Sequence, residues 1–132
     1  IRLAADEVHA ANEEARQAAS DPTALLERFI RNYAAVAIDR AALIAVWTSE
    51  ARHLTAARRA PMTRRLSSWH GEWVEQLLAV RPDLDAEQGG LLVSAAIGHI
   101  STCAGTGYHD DPAQLEDRLT AIALAALGTD LD

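Results

Sequence analysis

His70-Gly71-Glu72 sets a histidine and a carboxylate two residues apart, the spacing with which zinc deaminases hold their metal and their proton-transfer group. That chemistry also needs a Pro-Cys-x-x-Cys half, and the chain has one cysteine, Cys103, so the zinc reading fails. His99 and Cys103 stand four apart, on one face of a helix, and would present two metal ligands. Two ligands do not make a site, and a small buried thiol beside a partnered histidine accounts for the pair, so neither metal nor cofactor is expected. The helical two-histidine motif of metalloproteases is absent. Gly105-Thr106-Gly107 follows no strand and reads as the loop that ends a helix, not as a phosphate cradle. Ser67, Ser68 and His70 are neighbours without the residues of a nucleophile elbow. The expectation is therefore a protein that is not an enzyme, and a small helical enzyme using His70 and Glu72 is kept only as a rival.

Two other patterns point to binding. Between Glu50 and Glu72 lie five arginines (Arg52, Arg58, Arg59, Arg64, Arg65), two histidines and no acid. Residues 83–132 hold nine acids against Arg118 alone, a net of −8. The arginines read either as a solvated connector facing acidic segments or as a pocket mouth at which one of them, Arg65 in particular, meets a ligand carboxylate or phosphate. Trp47, Trp69 and Trp73 fall on inward stripes and read either as core or, with Phe29, Tyr33 and Met62, as the lining of a cavity between helices.

The elements that must position these residues are helices. The chain has 132 residues, 49% apolar and 23% charged, which suits one globular domain with a core of its own. Its longest unbroken apolar runs, Ala41 to Trp47 and Ala121 to Leu127, are far short of the ~20 residues of a membrane helix, and no signal peptide is recognisable. A soluble, cytoplasmic, all-α protein is the expectation, and a start at Ile1 in place of Met suggests a segment upstream. All twelve basic residues are arginine and twenty-eight residues are alanine, a bias that fits GC-rich coding and strong helix formers alike. A net charge of −7 argues against nucleic-acid binding by this chain itself.

Asp21-Pro22, Pro61, Arg81-Pro82 with Asp83 and Asp85, and Asp111-Pro112 punctuate about six helices. The first, about Arg2 to Ala19, is polar apart from Leu3, Val8 and alanines, and reads as a connecting element. The second starts at Asp21 and carries Leu25, Phe29, Tyr33 and Val36; the third, about Arg40 to His53, aligns Leu43, Trp47 and Ala51. The fourth, about Pro61 to Val80, has the stripe Met62, Leu66, Trp69, Trp73, Leu77 and Val80. The fifth, about Ala86 to Ala104, begins with a box-like Asp85 and Gln88 and is apolar on two sides. One side is Leu92, Ala96, His99 and Cys103 with Ala95 adjoining; the other is Val93, Ile97 and Ile100. The sixth, about Pro112 to Leu127, spaces Leu115, Leu119, Ile122 and Ala126 as a seam, which suggests a dimer interface with the fifth.

This order, with Glu50-Ala51-Arg52-His53-Leu54 and the run from Trp73 through Arg81-Pro82-Asp83-Leu84-Asp85 to Leu91-Leu92-Val93, resembles the C-terminal ligand-sensing and dimerising domain of TetR-family transcriptional regulators, especially actinobacterial ones. The resemblance spans nearly the whole chain and departs from the family in lacking the N-terminal helix-turn-helix. It implies that residues 1–20 connect to that DNA reader, that residues 21–132 form the sensing and dimerisation domain, and that the last two long helices pair across a twofold axis. The expected partners are a second copy, a small apolar effector, and operator DNA through the absent reader alone. The expected pocket is walled by Phe29, Tyr33, Trp47, Met62, Leu66, Trp69, Trp73 and Ile97, with Arg65 or His99 at a polar end. The expected dimer face is Leu92, Ala95, Ala96, Cys103, Leu115, Leu119, Ile122 and Ala126. The alternative is a helical dimer that binds a ligand or partner and has no DNA-binding domain.

Overall fold

The computed structural model describes residues 2–19, 21–105 and 111–131; Thr106 and Gly107 of the expected loop lie outside them. Six α-helices form the described structure: α1 (Arg2–Ala18), α2 (Pro22–Asp39), α3 (Ala41–Glu50), α4 (Ala56–Val80), α5 (Ala86–Ala104) and α6 (Pro112–Leu127). A single 3-10 turn, Ala51–His53, follows α3. No strand occurs among the described residues, and none of their helices is long and apolar enough to cross a membrane.

Local chemistry explains most of the boundaries. Asp21 precedes Pro22, whose fixed φ and missing N–H suit the first helical position. Asp85 and Gln88 exchange side-chain bonds with each other's backbone N–H at 2.8 and 3.0 Å, closing a capping box at the head of α5. The Asp111 carboxylate accepts from Ala113 N at 3.0 Å. One boundary departs from expectation: α4 starts at Ala56, not at Pro61, because the Thr55 hydroxyl caps it by accepting from Arg58 N. Pro61 therefore sits inside the helix, and the bond lost at its missing N–H falls close enough to the end for the helix to continue.

α2 is the central helix and packs against α1, α4, α5 and α6. Phe29, Ile30, Trp73, Val93, Ile100 and Leu119 are sealed between these elements. Gly89 is buried where α4 and α5 approach; a Cβ there would lie 3.1 Å from Leu78 Cδ2. Arg81, in the turn between α4 and α5, donates to the carbonyls of Leu127 and Thr129 at 2.8 and 2.7 Å and pairs with Asp83 at 2.7 Å. It thereby ties the end of α6 to that turn and supplies partners for terminal carbonyls.

α1 is docked more firmly than a polar connector would be. Ala4, Ala5, Val8 and Ala15 are buried, and the Asn12 carbonyl oxygen accepts from Asn32 of α2 at 3.2 Å. Three ion pairs hold its polar flanks: Glu7 with Arg40 at the end of α2, Asp6 with Arg65 of α4, and Arg16 with Glu72 of α4 at 2.9 Å. Arg16 also lies over the Phe29 ring, 5.5 Å from its centroid.

Candidate functional site

A cavity of about 560 Å³ opens beneath α1. Its wall comes from every helix but α6: Ala4, Ala5 and Val8 of α1; Tyr33 and Val36 of α2; Ile44 and Trp47 of α3, with Ala51 beyond it; Arg59, Thr63, Leu66, Ser67, Trp69 and His70 of α4; and Ile97 and Ser101 of α5. The size and the mainly apolar wall are those of a small-molecule site.

Helical spacing explains why α4 contributes a mixed face. Leu66, Trp69 and Trp73 follow the inward stripe, while Arg59, Thr63, Ser67 and His70, spaced four, four and three, form a polar line beside it. Trp69 is the hinge between wall and core: its ring is 4.9 Å from that of Tyr33 and 5.9 Å from that of Trp73. On the cavity wall, the Tyr33 hydroxyl lies 2.5 Å from Ser101 Oγ, which itself donates to the Ile97 carbonyl at 2.9 Å. Ser101 therefore accepts from Tyr33, and the two side chains join α2 to α5. Burial pushes the Tyr33 phenol above its ordinary range. His70 Nε2 and Ser94 Oγ are 3.0 Å apart, linking α4 to α5.

The folded chain brings together five of the ten expected ligand-binding residues: Tyr33, Trp47, Leu66, Trp69 and Ile97 line the cavity. Phe29 and Trp73 do not reach it, because each is 0% exposed within the core. Met62 and Arg65 point elsewhere, lining a separate shallow cleft with Pro61 and Arg64. Arg65 is occupied by Asp6. His99 lies outside the cavity wall and its Nδ1 is 3.5 Å from Cys103 Sγ; among the described residues no group of three metal-binding side chains includes them. Glu72, the second half of the enzyme alternative, is held by Arg16.

The residues not expected from the sequence are Ala4, Ala5 and Val8 of α1, Val36, Ile44, Ala51 and Ser101, and the polar line from Arg59 to His70. The line was detectable in principle, since a polar stripe adjoining an inward apolar stripe on one helix is the pattern of a helix facing a partly polar space.

The expected dimer face is also redistributed. Leu92, Ala96 and Leu119 are buried in this chain's own core. Cys103, Leu115 and Ala126 are half-buried, and Ala95 and Ile122 are exposed. The outward face of α5 and α6 carries Leu91 at 63% and Ile122 at 50% exposure, flanked by small exposed residues such as Ala95, Gly98, Ala121 and Ala125. When the chain is compared with known proteins, no family model matches it and no curated protein matches it.

Proposed function

We propose that this chain is the effector-sensing and dimerisation domain of a TetR-like transcriptional regulator, binding a small, largely apolar ligand whose presence alters DNA binding by a helix-turn-helix domain joined to α1. The observation that carries the reading is the 560 Å³ cavity roofed by the first turns of α1. A molecule bound there touches α1 directly, so its affinity depends on where α1 sits. That dependence is the differential affinity by which a ligand shifts a two-state equilibrium. The ion pairs from Asp6, Glu7 and Arg16 define one docked position of α1 and give the equilibrium a discrete starting state. Readers carried by two copies must match half-sites at fixed separation, so a few ångströms of movement at α1 weakens operator binding. The exposed α5–α6 face supports the pairing of two copies.

The test is a titration of the protein with N-phenyl-1-naphthylamine, an uncharged apolar fluorophore, followed by tryptophan quenching and by amide hydrogen exchange. Saturable binding with altered exchange in residues 2–18 is expected. Binding that leaves α1 exchange unchanged would remove the sensing role, and no saturable binding would remove the cavity as a ligand site.

A further inference from the structure

We infer that the cavity selects a hydrophobic monocarboxylate, held with its carboxylate on Arg59 and its apolar body against Trp47, Leu66, Trp69 and Ile97. This rests on the reading of the cavity as a ligand site and adds the chemical class of the ligand.

Charge complementarity carries the inference. Among the described residues neither Asp nor Glu lines the cavity, and Arg59 is the one arginine on its wall. Arg59 has no carboxylate partner among them, unlike Arg16, Arg31, Arg40, Arg65 and Arg81; Arg28, Arg52, Arg58, Arg64 and Arg118 lack one too, but none of these lines the cavity. Among the described residues the Arg59 guanidinium makes one bond, from Nη1 to the Ala51 carbonyl at 3.4 Å, long for an N–H···O bond, which leaves most of the fork unused. A half-buried guanidinium beside an apolar wall is stabilised by an anion that can accept two parallel N–H bonds, and a carboxylate has that geometry. Thr63 and Ser67, one and two turns along the same face of α4, offer hydroxyls next to it.

The surroundings favour the same occupant. Arg52 and Arg58, both exposed, directly adjoin the wall residues Ala51 and Arg59 in the chain, and no acid lies between Glu50 and Glu72. In a chain of net charge −7, this basic rim is a local inversion of sign that draws anions towards the cavity mouth. A single guanidinium neutralises a monoanion. A phosphate dianion would bring a second charge into the cavity, and the neighbouring His70 Nε2 is already engaged with Ser94. At about 30 Å³ for each water-sized group, the cavity holds on the order of fifteen to twenty non-hydrogen atoms, room for an arylalkyl acid or a fatty acid longer than decanoate.

The experiment displaces N-phenyl-1-naphthylamine with decanoate, with 1-decanol and with inorganic phosphate at neutral pH. It uses the unaltered protein, Arg59→Gln, Arg59→Lys and, as a rim control, Arg58→Gln. Decanoate is expected to compete roughly ten- to a hundredfold better than decanol, the ratio for a hydrogen bond to a charged group. Arg59→Gln should abolish that advantage while leaving decanol unchanged, Arg59→Lys should keep part of it, and Arg58→Gln should keep nearly all. Circular dichroism melts establish that each variant is folded. If the fluorophore binds but decanoate and decanol compete equally, the inference falls and the cavity reading stands. Equal losses in Arg58→Gln and Arg59→Gln would reduce the effect to the rim and overturn the role of Arg59. Displacement by phosphate alone would overturn the monocarboxylate, and failure of the fluorophore and of decanoate to bind would remove both readings.

Discussion

Removing the Tyr33 hydroxyl tests whether the cavity wall is braced between α2 and α5. Tyr33 is 7% exposed, and its phenol donates to Ser101 Oγ at 2.5 Å while Ser101 donates onward to the Ile97 carbonyl. In Tyr33→Phe the serine keeps its bond to Ile97, so no buried donor is stranded and the cost is that of one hydrogen bond, about 1 kcal/mol. Ser101→Ala strands the phenol and should cost more, about 1–3 kcal/mol. The double variant should then cost clearly less than the sum of the two, giving a coupling of about 1 kcal/mol. Urea unfolding should be followed by far-ultraviolet circular dichroism, because the Trp69 and Trp73 rings pack on Tyr33 and their emission changes with it. Alkali gives an independent reading. The phenol's pKa is raised above 10.0 in the folded protein, mainly by burial, so above pH 10 the unfolded chain loses its proton first. Stability should therefore fall as pH rises from about 10, and Tyr33→Phe should lack that share of the fall. Additive losses, or parallel alkaline profiles for the two proteins, would refute the brace.

Trp69→Ala removes a side chain that is 3% exposed and packs at a tilt against both Tyr33 and Trp73, and should cost about 3–5 kcal/mol in urea unfolding. It should also weaken the fluorophore, and unchanged affinity and quenching would place the ligand elsewhere. Arg81→Ala releases the carbonyls of Leu127 and Thr129 and should destabilise the protein by about 2–3 kcal/mol, with faster amide exchange concentrated at the end of α6. The hydrogen bond from Arg40 holds the Glu7 carboxyl below its ordinary 4.5, so this anchor of α1 is complete above that pH and is lost as pH falls through the lowered value. Exchange in residues 2–18 should rise over that acid range, and Glu7→Gln should show the faster exchange already at neutral pH. If two copies pair as proposed, the unaltered protein should sediment as a dimer and Leu91→Arg with Ile122→Arg as a monomer, without a lower melting temperature; a dimer that persists in the variant would exclude the outward α5–α6 face.

What could be read from the sequence was whatever depends on neighbours along the chain. Helix identity and most ends follow from caps and prolines whose partners are within four residues, and Asp85 with Gln88 forms its box for that reason. The start of α4 shows the limit of such rules: Pro61 is a strong local signal, and the weaker Thr55 cap six residues earlier decided the boundary. Periodicity likewise found the inward faces, since Trp69, Trp73, Tyr33 and Phe29 all point to the interior.

Only the tertiary structure decided which inward residue meets protein and which meets empty space, because a stripe specifies a direction and not what stands opposite. Phe29 and Trp73 face packed helices, whereas Trp47 and Trp69 face the gap left under α1 by small residues, Ala4 and Ala5. The same holds for the arginines. Asp6, on α1, takes Arg65 out of contention, and Arg59, one and a half turns away on α4, is left on the cavity wall without a carboxylate. Leu92, Ala96 and Leu119 are apolar like a dimer seam, yet α2 and its neighbours cover them within one chain. Composition and spacing bound the helices and their faces; the pairing of those faces depends on contacts between residues far apart in sequence, which no local pattern encodes.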